Sequence, residues 1–420
     1  LLDNDVERHA MRKKAYTFSR EAVWKEVSRK YLQIFNEVRQ NRTRKPRPRH
    51  SYVENIKAIT NFELPEIKLD HLKAFTDDTG ILQHANYTIP DRTHGYCTDD
   101  NARALLVAGM GQKYLPTNGW GLDFLSGHYL GFLLYAYDEN NGRFRNFMTY
   151  SRHWVEEIGS EDAHGRAIWC LGKAVAFLDD PGHLAMSTTL FNKALRAVEH
   201  FHSPRAIAFC LVGMHAYLHK FSGDSDVRRI RGVLADRLFN QFKNNGTDDW
   251  PWLENALNYA NGKLAHALLL SGHRMQRNDM IATGLNSLKW LLAVQTEDNH
   301  FVPIGSNGWY ERGGPRARFD QQPVEANAMV EACVEAFYVT RDQNWFENAV
   351  MCFNWFLGHN DLNMPLYDPK TGGCRDGLMA DGINQNEGAE SSLAWLLSLM
   401  TLQKLYADEI LNQPSSQKTG

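Results

Sequence analysis

Apolar residues recur at three- and four-residue steps along most of this chain, and convincing two-residue alternation is missing, so the pattern predicts helices and few strands. Over residues 5–38 one helical face is marked by Ala15, Phe18, Ala22, Val23, Val27, Tyr31, Ile34, Phe35 and Val38. The stretch "QNRTRKPRPRH", 40–50, then breaks the pattern with Pro46, Pro48 and a run of like charge, and reads as an extended, solvated linker. From 70 to 410 roughly a dozen apolar-periodic segments follow, separated by short polar, Gly or Pro breaks.

Six of these segments open alike, with a polar first turn leading into an apolar run. They begin at "TDDNARALL" (98), "SEDAHGRAIW" (160), "SPRAIAFCLV" (203), "WLENALNYANGKLAHALLL" (252), "QPVEANAMVEAC" (322) and "NQNEGAESSLAWLLSL" (384). The segments between them, such as 184–200, 224–243 and 277–295, are ordinary amphipathic helices. Six such pairs predict an all-α fold, an (α/α)6 toroid with inner and outer helix rings. The uneven spacing of the starts argues against a helical-repeat solenoid. The expected organisation is a helical extension over 1–39, a basic Pro-containing linker over 40–69, the toroid over 70–410 and a disordered tail over 411–420.

Composition narrows the class. At 43% hydrophobic and 11% aromatic, the chain is globular rather than disordered. No apolar run is long enough to span a bilayer, and no membrane partner is expected. The chain opens with neither Met nor a signal-peptide pattern, and reads as a segment of a longer protein. Cys97, Cys170, Cys210, Cys333, Cys352 and Cys374 are scattered and form no CxxC pair, which predicts reduced, buried thiols, a cytoplasmic location and no zinc site. No metal or other cofactor is expected. The net charge of −3 divides unevenly: residues 1–50 carry 14 Lys/Arg against 6 Asp/Glu, so the rest is acidic and nucleic-acid binding by it is not expected.

The helix starts carry the candidate chemistry. Ordinary end effects explain part of it. Thr98 and Ser160 suit N-cap positions, and acids in a first turn are favoured by the helix dipole. Asp99 and Arg103, like Asp162 and Arg166, stand four apart and suit local ion pairs. A cap needs one such group, whereas these starts bring many: Asp99, Asp100, Asn101 and Arg103; Asp162, His164 and Arg166; Glu254, Tyr259, Asn261 and Lys263; Gln321, Gln322, Glu325 and Asn327; Asn386, Glu387 and Glu390. Polar groups on otherwise apolar helices are costly unless satisfied. In a toroid the inner helices start at one end, so these groups converge on one cleft. Carboxylates, amides, guanidinium groups and rings suit an oligosaccharide, whose hydroxyls donate and accept.

Glycoside cleavage takes two carboxyl groups. The catalytic candidates are Asp100, Asp162, Glu254 and Glu325. Glu254 follows "DDWPW", where Trp250 and Trp252 would raise its pKa as a general acid requires, leaving Asp100 or Asp162 as base. Phe147, Tyr150 and Trp154 read mainly as core rings, while Trp309 and Tyr310, in a Gly-rich loop, are sugar-contact candidates. The same loop carries Arg312, Arg316 and Arg318, which read either as an exposed basic turn or as a site for phosphate or another anion. An anion there would make the reaction phosphorolysis. His94, His164 and His266 admit an epimerase, in which histidine moves a proton at a sugar carbon.

Two resemblances bear on this. "AYTFSREAVWKEVSRKYLQIF" resembles the closing helices of family 4 retaining glycosyltransferases of the GT-B fold. "GILQHANYTIPDRTHGYCTDDNARALL", "RFRNFMTYSRHWVEEIGSEDAHGRAIW" and "GCRDGLMADGINQNEGAESSLAWLLSL" are similar to a bacterial family of glycosidase-related proteins often fused behind such glycosyltransferases. The resemblance implies a six-hairpin glycosidase-like fold and carries no catalytic pair. The functional expectation is a glycoside hydrolase or phosphorylase acting on a mannose- or glucose-type oligosaccharide. A sugar-binding domain without catalysis and a sugar epimerase are the alternatives.

Overall fold

The computed structural model describes residues 4–19, 24–43, 63–115 and 121–412. The chain divides into two compact units, Leu1–Phe62 and Glu63–Gly420. In the first, α1 covers Asp5–Ser19 and α2 covers Trp24–Thr43. The single helix expected over 5–38 is thus assigned as two, and residues 20–23, like most of the expected linker at 44–62, lie outside the described residues.

The second unit is built from α3 (Asp70–Phe75), a hairpin of β1 (Leu82–Asn86) and β2 (Ile89–Cys97), and eleven further helices among the described residues. These are α4 (Thr98–Tyr114), α5 (Leu122–Ala136), α6 (Glu161–Phe177), α7 (Pro181–Leu195), α8 (Pro204–Lys220) and α9 (Ser225–Asn245). They continue as α10 (Asn261–Met275), α11 (Asn278–Val294), α12 (Pro323–Thr340), α13 (Gln343–Asn354) and α14 (Ala389–Asn412). Helices α4, α6, α8, α10, α12 and α14 contact one another in that order, and α14 returns to α4. The ring is closed. Helices α5, α7, α9, α11 and α13 each pack outside the inner helix before them, and α3 covers α14. This is the (α/α)6 toroid predicted from the pattern.

Burial explains the pattern. Inner helices are covered all round: on α4 every residue from Asp100 to Gly111 is buried, whereas outer α9 buries one stripe, including Val227, Ile230, Leu234 and Leu238. Helices α6 and α8 touch backbone to backbone. A Cβ on Gly172 would lie 2.1 Å from the Gly213 carbonyl oxygen, so only glycine permits that approach. All six cysteines are free and buried. Among the described residues no helix is long and apolar enough to cross a membrane.

Two local expectations are corrected. Cys97, not Thr98, occupies the N-cap of α4, its Sγ accepting from the Asp100 N–H, while the Thr98 hydroxyl donates to the Arg145 carbonyl at 2.6 Å. The β1–β2 hairpin, joined at its edge by Phe147–Met148, was not expected. Much of β2 lies exposed, so no buried face imposes the alternation by which a strand is recognised.

Candidate active site at the inner-helix starts

Side-chain bonds link the starts of the inner helices in turn. Arg103 on α4 donates to Asp100 at 2.7 Å and to Glu390 in the first turn of α14 at 2.6 Å. Arg166 on α6 reaches across to Asp99 on α4 at 3.0 Å, with Asp162 on its own helix at 3.9 Å. Both approaches are made by the same nitrogen, so one guanidinium holds the two carboxylates of neighbouring helices close together. Asp162 also accepts from Ser203, the N-cap of α8, at 2.6 Å, and from the Tyr259 hydroxyl.

Arg205 on α8 continues the circuit. It donates to both oxygens of Glu254 at 2.9 and 2.8 Å, to the Tyr259 carbonyl at 2.5 Å and to Asn261 at the start of α10 at 3.2 Å. Glu325 on α12 accepts the Ala260 N–H at 2.5 Å. Ala260 has φ of +49°, a conformation a non-glycine residue holds only when its surroundings impose it. Glu325 and Arg205 together fix that turn and thereby aim Tyr259 at Asp162. Side chains from neighbouring inner-helix starts are therefore joined, through pairings unlike those the spacing suggested. Asp99 crosses to Arg166 rather than pairing with Arg103, which takes Asp100 and Glu390.

Accessibility sorts the carboxylates. Asp100 and Glu325 are 3% and 1% exposed and work from behind the surface. Burial raises their pKa values, to about 6 for Asp100, where Arg103 opposes the effect, and to about 7 for Glu325. Water reaches the side chains of Asp99, Asp162, Glu254 and Glu390, at 20, 14, 24 and 46% exposure. The apolar surround expected for Glu254 is absent: its partner is a guanidinium, while Trp250 and Trp252 are buried in the core. Glu390 is the most open of the four. Its surroundings disfavour charge by desolvation, but Arg103 and Arg166 more than offset this and lower its pKa. Asp376, absent from the sequence-based candidates, is tuned the other way: burial raises its pKa against hydrogen bonds from Ser391 and the Gly388 N–H.

Two histidines on the hairpin complete the surroundings. The rings of His84 and His94 meet edge to face at 4.7 Å, and both are exposed. Burial and the neighbouring His94 lower the His84 pKa, while Asp376, Asp91 and Glu390 pull it up. Lys263 lies deeper, over the Trp169 ring at 4.6 Å and paired with Glu331.

Other sequence-predicted residues lie apart from this circuit. His164 bonds the Phe144 N–H and, at 2.9 Å, the Ala194 carbonyl on outer helix α7, and burial depresses its pKa to about 3. His266 is buried, which lowers its pKa as well. Asn101 anchors Ile81 at 3.0 Å, Asn327 bonds Ser398 at 3.1 Å, and Asn386 accepts the Tyr87 N–H at 2.9 Å. Gln321 is spent on Asp361 and Trp355, and Gln322 is the N-cap of α12. Glu387 is held by Thr371 and Arg375 on the far side of the α14 start. Tyr310 packs on Trp250 at 5.3 Å, and Trp309 is half-buried.

The arginine loop is not gathered around an anion. Arg312 pairs with Asp249, Arg316 with Glu297, and Arg318 with both Glu297 and Asp361. Each guanidinium is partnered by a carboxylate in loops that water reaches, an arrangement that an exposed basic turn explains without an anion. Among the described residues no group of three or more His, Cys, Asp or Glu side chains is arranged to hold a metal ion.

No protein-family model matches the sequence, and no curated protein matches it either. Solved structures match the fold. Cellobiose 2-epimerase from Bacillus thermoamylovorans is similar with a TM-score of 0.64 at 11% identity, over 85% of this chain and 99% of that chain. Cellobiose 2-epimerase from Spirochaeta thermophila gives 0.63 at 13%, over 87% and 100%. A GH76 α-mannanase from Bacteroides thetaiotaomicron gives 0.55 at 12%, over 87% and 98%. At such identities the likeness establishes the six-hairpin toroid and no more.

Proposed function

We propose that the chain is a carbohydrate-active enzyme that hydrolyses a glycosidic bond of an oligosaccharide bound at the inner-helix starts. Glu390 is the base and Asp376 the acid. The observation that carries this is the half-open Glu390, held ionised chiefly by Arg103 beside a series of side-chain bonds that links the inner-helix starts. Two carboxyl groups whose surroundings push their pKa values apart divide the roles of base and acid between them. In this reading Glu390 takes a proton from the attacking water, and Asp376 gives one to the departing glycosidic oxygen. Asp99, Asp162 and Tyr259 bond sugar hydroxyls. Hydrolysis is put ahead of phosphorolysis because Arg312, Arg316 and Arg318 each pair with a carboxylate instead of facing a common point. The names of the fold relatives make gluco- and manno-configured oligosaccharides the first to test.

One observation favours a second reading. His84 and His94, 4.7 Å apart beside Glu390, suit proton transfer at a sugar carbon, the step an epimerase performs. Incubation of the protein with a panel of manno- and gluco-oligosaccharides, followed by reducing-end assay and proton NMR, separates the two. New reducing ends support hydrolysis. A changed epimer with the bond intact selects the second reading, and binding without any product contradicts both.

A further inference from the structure

Outer helix α5 forms the floor of a cavity of about 510 Å³, closed on one side by Met148, the strand partner of Tyr96. Gly127, His128, Gly131 and Tyr135 line it from the helix, and Asp78 and Arg152 from the facing loops. With Phe124 these helix positions fall three or four residues apart and share one face. That face is open: Phe124 is 69% and Tyr135 57% exposed.

Of the two glycines on this face, Gly127 faces His183, whose Nε2 would lie 3.1 Å from a Cβ there, and Gly131 differs both from it and from the glycines of the inner ring. Gly172 and Gly213 exist because a Cβ would strike the neighbouring helix. No described residue comes within 4 Å of a Cβ built on Gly131, although glycine is a poor helix former. Packing against the described residues does not account for it. Without a side chain there, the helix surface stays low between two rings: Tyr135 in the lining, backed by Trp154 at 5.5 Å, and Phe124 just beyond the lining, tilted against His128 at 4.2 Å. A ring that is exposed yet held by a second ring is a preformed stacking surface. Beside it Arg152 binds both oxygens of Asp78 at 2.8 Å, a planar set of donors and acceptors turned to solvent. The backbone of Arg152, at φ +65°, is pinned by its N–H to Thr149 at 2.9 Å.

We infer that this trough is a second carbohydrate-binding site, separate from the inner-helix starts, which holds an oligosaccharide along α5. Its pieces match the ligand: flat apolar rings for pyranose faces, a flat glycine floor, and a paired carboxylate and guanidinium for hydroxyls. From Phe124 to Tyr135 the helix advances about 16 Å, the reach of an oligosaccharide rather than of one sugar. The choice of ligand class rests on the function proposed above; the trough itself does not.

Affinity electrophoresis of the full chain through gels containing soluble yeast mannan, hydroxyethyl cellulose or starch tests the inference. Tyr135→Ala removes a stacking ring, and Gly131→Leu fills the floor where there is room for a side chain. Both positions are exposed, so Tyr135→Ala should leave the melting temperature unchanged and Gly131→Leu, which removes a helix glycine, should not lower it. Retardation by at least one polysaccharide is expected, weakened fivefold or more in both variants and kept in Glu390→Gln. Retardation that survives both trough variants, or that disappears in Glu390→Gln alone, or that no polysaccharide produces, overturns the inference. A failure of the proposed hydrolysis would appear as absent turnover and would leave these mobilities as they are.

Discussion

Glu325→Gln offers a quantitative test of the buried carboxyls. The side chain is 1% exposed, and burial lifts its pKa from an ordinary 4.5 to about 7. Because the folded-state value is raised, the folded protein keeps a proton that the unfolded chain has lost between those limits. Its stability therefore falls as pH rises from 4.5 to 7 and is level above. At about 1.4 kcal/mol per unit the total is about 3 kcal/mol. Glutamine cannot titrate. Its amide can still accept from Ala260 but places an NH2 beside the Asn261 amide, 3.5 Å from the present carboxylate oxygen, at a cost of about 1–3 kcal/mol that does not vary with pH. The prediction therefore concerns the slope. For the unit Glu63–Gly420, with unfolding entropy of about 2.1 cal/mol/K per residue, the melting temperature of the variant gains about 4 °C on wild type between pH 4.5 and 7. Calorimetry at constant ionic strength measures it. Parallel profiles would mean that Glu325 is ionised in the fold, and the reasoning would fail.

Other substitutions probe the frame. Gly172→Ala drives a methyl to 2.1 Å from the Gly213 carbonyl and should cost at least about 3 kcal/mol in urea unfolding. Gly131→Ala, with open space around it, should gain about 0.5–1 kcal/mol. Arg205→Met strips Glu254 of both its hydrogen bonds and frees the Tyr259 turn, which should cost about 3 kcal/mol and lower turnover together. Arg318→Ala, at a guanidinium 41% exposed, should cost about 1 kcal/mol or less, and added inorganic phosphate should leave the melting temperature of either form unchanged. Stabilisation by phosphate in wild type alone would restore the anion site.

The fold was legible because inner and outer helices differ in a way the chain records. An inner helix is buried on all sides and an outer one on a stripe, so the two kinds of apolar pattern alternate. Five inner starts were placed within a few residues. The exception is α10, expected from 252 and found at Asn261. The polar run from Glu254 to Tyr259 resembles a helix start but forms a loop with a short strand at Ala256–Leu257, ended by the positive φ of Ala260. Partners were harder to read than positions. Arg166 stands four residues from Asp162 yet binds Asp99 more closely, because spacing along one helix carries no information about the helix beside it. Arg205 was passed over inside an apolar segment, although a charge in such a segment is itself a sign of a buried partner. His84 and Asp376 lie in a hairpin and a loop, where no periodicity marks them. Glu390 and Glu387 share one polar run, and only the packing of α14 separates the open one from the buried one.

The most direct test is the rate of Glu390→Gln on whichever oligosaccharide the wild-type protein turns over. Glutamine keeps the size of the side chain and its acceptor for Arg103 but cannot take a proton. The account predicts a rate about 10² to 10⁴ lower in a variant that still unfolds cooperatively, at a somewhat lower melting temperature because Arg103 loses one charged partner. Turnover by the variant at the wild-type rate would contradict it.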